Sequence, residues 1–335
     1  MKQLNVCVVG GGAMGRTHAR IWQQMAETQV VSLVDADRTL AASVSAELGI
    51  PTHYTDYREA VAQPDVDLVS VCVPTFLHPE ITRLAAKHGK HILCEKPIAL
   101  TLADAQSMID AADAAGVKLA IGLMRRYSPL MQALRDFLSG DRQPVIYRAE
   151  STLPIRPKRA MHDQHKNGGP YIDMLCHFID TWRVIFDSEP VRVMAHGLTL
   201  GEQRSEIEHI AHKAIDSGSF SVEFASGDVG CGFITWGLPP GSNHAFPIIE
   251  NLYGAHGVLD VRFIRDQEIM WHKEGGASEV LISAEPKNYE WQLAAFARAI
   301  LHDEPIQSTG ADGLAALRVS LALLESIKTG QAVEW

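Results

Sequence analysis

The chain has 335 residues, 46% of them hydrophobic and 21% charged, a length and composition that allow two domains each with its own core. Its 30 basic and 40 acidic side chains leave a net charge of −10, a field that repels nucleic acid and anionic membrane surfaces and so argues against both as partners. No stretch reaches the roughly eighteen apolar residues of a membrane span and only three residues precede the first apolar run, so the expectation is a cytoplasmic protein without export signal or anchor.

The first element is an apolar strand, Leu4, Val6, Val8 and Val9, running into Gly10, Gly12 and Gly15 at G-x-G-x-x-G spacing and then into a helix from Ala13. That order lets the backbone approach a pyrophosphate while the helix N-terminus presents its free N–H groups. Three glycines in six residues also make an ordinary tight turn, and the context decides for the nucleotide. A second apolar run over 30–34 ends in Asp35, twenty residues beyond Gly15, where a carboxylate binds the adenosine ribose hydroxyls. A 2′-phosphate about 4 Å from that carboxylate meets a repulsion on the order of 4 kcal/mol per unit charge at an effective dielectric of about 20, which favours NAD. Arg38 keeps NADP open as the alternative cofactor, although Asp37 opposes a phosphate there and a solvated residue in the first turn of the next helix is the plainer reading. The candidate cofactor contacts of this stretch are Gly10, Gly12, Ala13, Met14, Gly15, Asp35 and Arg38.

Strand and helix then keep alternating, the mark of a doubly wound parallel sheet. Residues 67–73 read as a buried strand, Leu77, Ile81, Leu84, Ala85 and His88 recur at helical spacing, 91–94 is a strand, and Leu102, Ala105, Ile109 and Ala112 mark a helix capped by Thr101 with Asp104 three residues on. A strand over 117–122 closes an N-terminal Rossmann domain, expected to span 1–123. From 124 to 335 the pattern changes: a helix near 128–138, a strand near 145–151, a helix from Pro170, short strands over 220–224, 229–236, 248–253 and 258–263 joined by glycine-bearing turns, and helices over 289–301 and 313–328. The expected fold class is therefore α/β, the Rossmann sheet followed by an α/β domain with a large, open, mostly antiparallel sheet. The last helix carries Leu314, Leu317, Leu321, Leu324 and Ile327 on one face, and an open sheet with an apolar outer face predicts a homodimer or homotetramer. Cys7, Cys72, Cys94, Cys176 and Cys231 are odd in number and lack metal spacing, and His162, His165, His209 and His212 have no partners to complete a metal site, so free thiols and no metal are expected.

Two segments are too polar for their places. Cys94-Glu95-Lys96-Pro97 ends an apolar strand in charge, and in an open parallel sheet ligands bind outside the carboxyl ends of the strands, which aims Lys96 at a cofactor. Pro97 suits an unusual turn there, a cis bond included; a solvated lysine in a turn is the competing account. The second segment starts at Gly168, Gly169 and Pro170, and places Asp173, His177 and Asp180 on one helix face among Ile, Met, Leu, Cys and Phe. A buried histidine beside carboxylates can take a proton from an alcohol, and a structural hydrogen-bond network is the alternative. Arg125 and Arg126 after the last Rossmann strand, and Arg156, Lys158 and Arg159 in the loop before that helix, form a basic cluster suited to an anionic substrate group, a solvated loop or a subunit contact; of these Arg126 and Arg156 are the candidate substrate contacts. Trp236 and His244 are weighed as sugar-facing, with core packing and a loop surface as the plainer readings.

With GGGAMGRTHA, CVPTFLHPE, CEKPIAL, NGGPYIDMLCHFID and STGADGLAALRVSLALLESIKTG on the page, the chain resembles, over nearly all its length, the family of glucose-fructose oxidoreductase, inositol dehydrogenase and the rhizopine-catabolism protein MocA. The resemblance implies an NAD(P)-dependent oxidoreductase that oxidises a secondary alcohol of a sugar, sugar derivative or inositol to a ketone, or the reverse. It also implies His177 as proton acceptor, Lys96 as the cation that polarises the hydroxyl, and Asp173 as the carboxylate orienting substrate and histidine, all three touching substrate. Pro74, Thr75 and His78 match the loop along the cofactor, Glu95 the residue beside its ribose, and Lys96 a further cofactor contact. Leu175 stands where many members have glycine, and Phe76 where others are more polar, which weakens any transfer of substrate identity. Two alternatives remain at this stage: an NAD-dependent glycoside hydrolase or lyase that oxidises its sugar transiently, and a non-catalytic NAD-binding regulator.

Overall fold

A computed structural model describes residues 3–140, 143–242, 248–264 and 266–335. The chain divides into two compact units, the first comprising 1–124 with 288–314 and the second 125–287 with 315–335. Its elements in order are β1 (Leu4–Val9), α1 (Ala13–Gln24), β2 (Thr28–Val34), α2 (Arg38–Leu48), β3 (Thr52–Tyr54), α3 (Tyr57–Val61), β4 (Leu68–Val71), α4 (His78–Lys87), β5 (His91–Cys94), α5 (Leu102–Ala115), β6 (Leu119–Ile121), α6 (Pro129–Leu138), β7 (Ile146–Pro154), α7 (Gly169–Asp173) and α8 (Leu175–Phe186). After these come β8 (Pro190–Leu198), β9 (Ser217–Phe224), β10 (Val229–Leu238), β11 (Ile249–Gly254), β12 (Gly257–Arg262), β13 (Gln267–His272), β14 (Ser278–Ala284), α9 (Asn288–His302), α10 (Gly310–Thr329) and β15 (Val333–Glu334).

In the first unit six parallel strands lie in the order β3-β2-β1-β4-β5-β6, so the strand order reverses between β1 and β4, beside the glycine turn. Local chemistry sets the boundaries. Asp37 caps α2 by accepting the N–H groups of Thr39 and Leu40, and Gly49 ends it in the left-handed conformation. Thr101 caps α5 as expected, its Oγ1 accepting the Asp104 N–H at 3.1 Å and donating to Asp104 Oδ2 at 2.8 Å. A single cut at 123/124 does not describe the packing, because 288–314 returns to the first unit. The reason is burial and pairing: Leu293 and Phe296 of α9 pack into the same core as Leu4, Val6 and Val8, each such side chain contributing about 1.5–3 kcal/mol on leaving water. The Ser308 hydroxyl and Gln292 amide both donate to the Ile121 carbonyl at the end of β6.

In the second unit nine strands run in the order β14-β13-β12-β11-β7-β10-β9-β8-β15, all neighbours antiparallel except β7 and β10. One face carries the core: Tyr147, Ala149, Val222, Ile234 and Leu252 of the strands pack with Leu134 of α6, Phe178 and Trp182 of α8 and Leu323 of α10. The leucine stripe of α10 is only partly its tight face: Leu317 is buried and Leu324 and Ile327 pack against the core half-buried, while Ala316, Val319, Ser320, Leu323 and Ser326 are also buried, Ser326 Oγ accepting the Ala195 N–H of β8 at 3.0 Å. All five cysteines are free thiols.

The opposite face of the sheet is less apolar than expected. Ile146, Phe233 and Tyr253 are exposed there, but Arg148 pairs with Glu150, and Asp260 accepts from Asn251 and lies 3.0 Å from His272. Among the described residues no helix is long and apolar enough to cross a membrane.

Candidate active site

The glycine turn between β1 and α1 is made of backbone. Gly10 has φ +109°, and a Cβ there would lie 2.4 Å from the Cys72 carbonyl oxygen; a Cβ on Gly15 would lie 1.7 Å from the Gly10 carbonyl oxygen. Both positions require glycine, the first for conformation and the second for the close approach of helix to loop. Gly12 is the N-cap of α1 and offers no side chain to it, and the helix has no acidic residue in its first turn. At the end of β2, Asp35 is held by its surroundings: Oδ2 accepts the Gly11 N–H at 2.8 Å and Oδ1 the Asp37 N–H at 2.9 Å. Arg38 is exposed as the first residue of α2, with Ala13 and Met14 in the first turn of α1. A cradle that any Cβ would fill, an uncapped helix and a fixed carboxylate twenty-five residues beyond Gly10 fit a dinucleotide.

The next two strand ends carry the charged turn and its supports. Glu95, Lys96 and Pro97 follow β5 directly, and the Lys96–Pro97 peptide is cis. Glu95 is buried, with Oε1 3.1 Å from His18 Nε2 and Oε2 accepting the Lys96 N–H at 3.2 Å. His78 is also buried, its Nδ1 2.9 Å from the Pro97 carbonyl and its Nε2 3.0 Å from the Val73 carbonyl. Burial drives this imidazole below its ordinary range while the two carbonyls pull it up. With both nitrogens facing protein oxygens, His78 braces the Val73–Pro74 loop against the Lys96–Pro97 turn rather than offering a nitrogen outward. Pro74 precedes a short turn in which Thr75 is buried and Phe76 exposed.

In the second unit the polar helix is two helices. The chain breaks at Met174 between α7 and α8, where the His177 N–H reaches the Met174 carbonyl at i−3, so Asp173 ends one helix and His177 lies in the first turn of the next. Asp173, His177 and Asp180 are all buried, at 6%, 8% and 2% exposure, and their partners differ. Asp173 Oδ2 accepts from the Asn167 amide at 2.6 Å. Asp180 is gripped by Arg126, whose Nε lies 3.0 Å from both carboxylate oxygens and whose Nη2 lies 2.6 Å from Oδ1. The guanidinium proposed from sequence for a substrate thus neutralises the second acid of the segment, Asp180. The pairing of Arg126 with Asp180 has no local sign in the sequence, where 54 residues separate the two, and Asn167 opens the quoted glycine motif without a role assigned from sequence.

Arg125 is a core residue. Its side chain is 1% exposed and bonds the fully buried Glu250 at 3.0 Å, between the rings of Phe178 and Phe263. Burial pushes the Glu250 carboxyl up, with Arg125 and the Tyr147 hydroxyl opposing. In the basic loop Arg156 stacks on Trp236, 5.5 Å from ring to guanidinium carbon, its backbone N–H donates to His162 Nε2 at 2.9 Å, and Arg159 donates to its carbonyl. Trp236 is buried beneath, so it packs, and His162 is held down to about 4 by burial and then by Arg159 and Arg156. His244 lies outside the described residues.

Taken together, a 3-2-1-4-5-6 parallel sheet with this glycine cradle defines a dinucleotide-binding protein of the Rossmann class. The model of an oxidoreductase family with an NAD-binding Rossmann fold matches residues 4–123, and that of the GFO/IDH/MocA C-terminal domain matches 143–259. The 1,5-anhydro-D-fructose reductase of Ensifer adhaerens is 31% identical over 326 residues, 91% of each chain. The myo-inositol 2-dehydrogenase of Thermotoga maritima is 26% identical over 338 residues, 99% of this chain and 98% of its own. The crystal structure of aldose-aldose oxidoreductase from Caulobacter crescentus, complexed with glycerol, superposes with a TM-score of 0.85 at 25% identity over the whole of both chains. The chain belongs to the Gfo/Idh/MocA family and is an NAD(P)-dependent oxidoreductase.

Proposed function

We propose that this enzyme oxidises a secondary alcohol of a sugar, sugar derivative or inositol to a ketone, or runs the reverse reaction, using NAD in preference to NADP. The relatives named above act on an anhydrofructose and on myo-inositol, which supports this substrate class. Bound nicotinamide supplies the acceptor for the hydrogen leaving the alcohol carbon. The chain's own residues handle the proton and the charge: His177 takes the hydroxyl proton, and the Lys96 ammonium stabilises the alkoxide as it forms. Asp173, held by Asn167, orients the imidazole and the sugar. Gly10, Gly12, Ala13, Met14 and Gly15 carry the pyrophosphate, and Asp35 meets the adenosine ribose.

The single observation that carries the reading is that the two acids flanking His177 in sequence are both held in place: Asp180 by Arg126 through contacts of 2.6–3.0 Å, and Asp173 by the Asn167 amide at 2.6 Å. A buried histidine beside fixed carboxylates is suited to take the proton of an alcohol. Mixing the protein with a panel of sugars and inositols and either cofactor tests this: net formation of reduced NAD with at least one polyol is expected. Cleavage of a glycoside with no net reduced cofactor would replace it with hydrolase or lyase chemistry.

For the substrate side we propose that Arg156, fixed over Trp236, meets an oxygen-rich or anionic substituent, while Arg126 acts through Asp180. The exposed Ile146, Phe233 and Tyr253 support self-association across the outer sheet face. Light scattering at micromolar concentration should show a dimer or tetramer, and a monomer alone would discard that part.

A further inference from the structure

One buried side chain joins four elements of the first unit and has no step in the reaction above. His18, in the second turn of α1, is fully buried; its Nδ1 lies 2.8 Å from Ser70 Oγ on β4, its Nε2 lies 3.1 Å from Glu95 Oε1 just beyond β5, and its ring centroid is 6.3 Å from that of Tyr289 on α9. The other Glu95 oxygen accepts the backbone N–H of Lys96. A Cβ on Gly122, just after β6, would fall 2.9–3.0 Å from this carboxylate, so the carboxylate rests against bare backbone and a side chain there would displace it. His78 meets the Pro97 carbonyl. The main chain of the Lys96–Pro97 turn is thus held at the Lys96 N–H by Glu95 and at the Pro97 carbonyl by His78.

We propose that His18 is a positioning residue for the reaction: by holding Glu95 it fixes the backbone from which Lys96 is presented. The proposal rests on the role given to Lys96 above. A lysine stem has four rotatable bonds, so its ammonium can be aimed only if its backbone is still. A buried carboxylate also needs a compensating donor, and His18 supplies it. Burial pushes the His18 imidazole down, but Cys72 and Glu95 outweigh it and raise it to about 10, which favours a proton on the ring nitrogen that faces Glu95.

Steady-state kinetics of His18→Ala, His18→Gln and His18→Asn, each made with Lys96 intact and in Lys96→Ala, tests this. With Lys96 intact, His18→Ala should lower kcat by about 10- to 100-fold, the size of a misplaced catalytic group, with KM for NAD within about threefold. In Lys96→Ala the same change should cost less than about twofold, because the group it positions is gone. His18→Gln, whose amide falls where Nε2 was and can still donate to Glu95, should restore most of kcat. His18→Asn, which mimics Nδ1 and reaches Ser70 alone, should not. Should His18→Ala fail to fold, the contrast between glutamine and asparagine decides. Equal losses in both Lys96 backgrounds, or equal behaviour of glutamine and asparagine, would overturn the proposal while leaving the role of Lys96 standing. Near-normal turnover of Lys96→Ala would overturn that role and the proposal with it.

Discussion

The two units build their polar surroundings from different materials. In the first, the groups of the glycine turn are main chain, a glycine loop and an uncapped helix end, and the Asp35 side chain beside them is pinned by two backbone N–H groups; only the charged turn after β5 rests on a side-chain network. In the second they are side chains paired with side chains, Arg126 with Asp180 and Arg125 with Glu250 across 54 and 125 residues and Asn167 with Asp173 six residues on. The first arrangement is intolerant of added atoms and indifferent to many side-chain changes; the second fails when one member of a pair is removed. Their buried histidines are shifted in opposite directions, His18 upward beside Cys72 and Glu95 against its own burial, His162 downward by burial and two arginines.

This contrast can be broken by mutation. The largest expected effect is on chemistry: His177→Ala should lower kcat by roughly 10²- to 10⁴-fold with little loss of stability, read by steady-state kinetics beside thermal melting. Near-normal turnover would move the base elsewhere. Next is Arg125→Ala, which leaves the buried Glu250 charge without its cation and should cost about 3–5 kcal/mol in denaturant unfolding. Arg125→Met combined with Glu250→Gln should recover much of it, and a double variant as unstable as the single one would show that packing, not charge, was lost.

The pH dependence follows from the sign at His162. Its folded value of about 4 lies below the ordinary 6.5, so between them the unfolded chain holds a proton that the folded chain does not. The stabilisation is complete above about 6.5 and is lost as pH falls towards 4. His162→Gln should flatten the fall of Tm across that window; an unchanged slope would place the titration elsewhere. The smallest effect is expected in the first unit. Asp35→Ser should weaken discrimination against NADP by about tenfold, about 1.4 kcal/mol, without moving Tm by more than a few degrees. Unchanged cofactor preference would show that Asp35 does not meet the ribose.

The same contrast explains what the sequence made legible. A main-chain site is local: the glycine spacing, the strand before it and Asp35 sit within 32 residues, and β5 falls where the apolar run His91–Cys94 placed it. The fold class could be read for the same reason, since buried parallel strands are continuous apolar runs. Strands β8, β13 and β14 were missed because they lie towards the margins of the large sheet, where polar and apolar residues mix as in Gln267–His272. The break at Met174 escaped because its residues keep helical spacing and a near-helical backbone, with Met174 at φ −96° and ψ −43°. The Arg126 pairing had no local signal, Asn167 stood in the quoted glycine motif without a role of its own, and the leucine stripe of α10 was only part of its buried face, which adds Ala316, Val319, Ser320, Leu323 and Ser326. His18 stood in plain view within the glycine motif, but its partners Ser70 and Glu95 lie 52 and 77 residues away.

The most direct test of the whole account is to follow reduced cofactor and ketone together on an active polyol, in the wild-type enzyme and in His177→Ala. One reduced NAD per ketone, at a rate that collapses in the variant, is the expected result. Ketone and reduced cofactor forming equally fast in both proteins would contradict it.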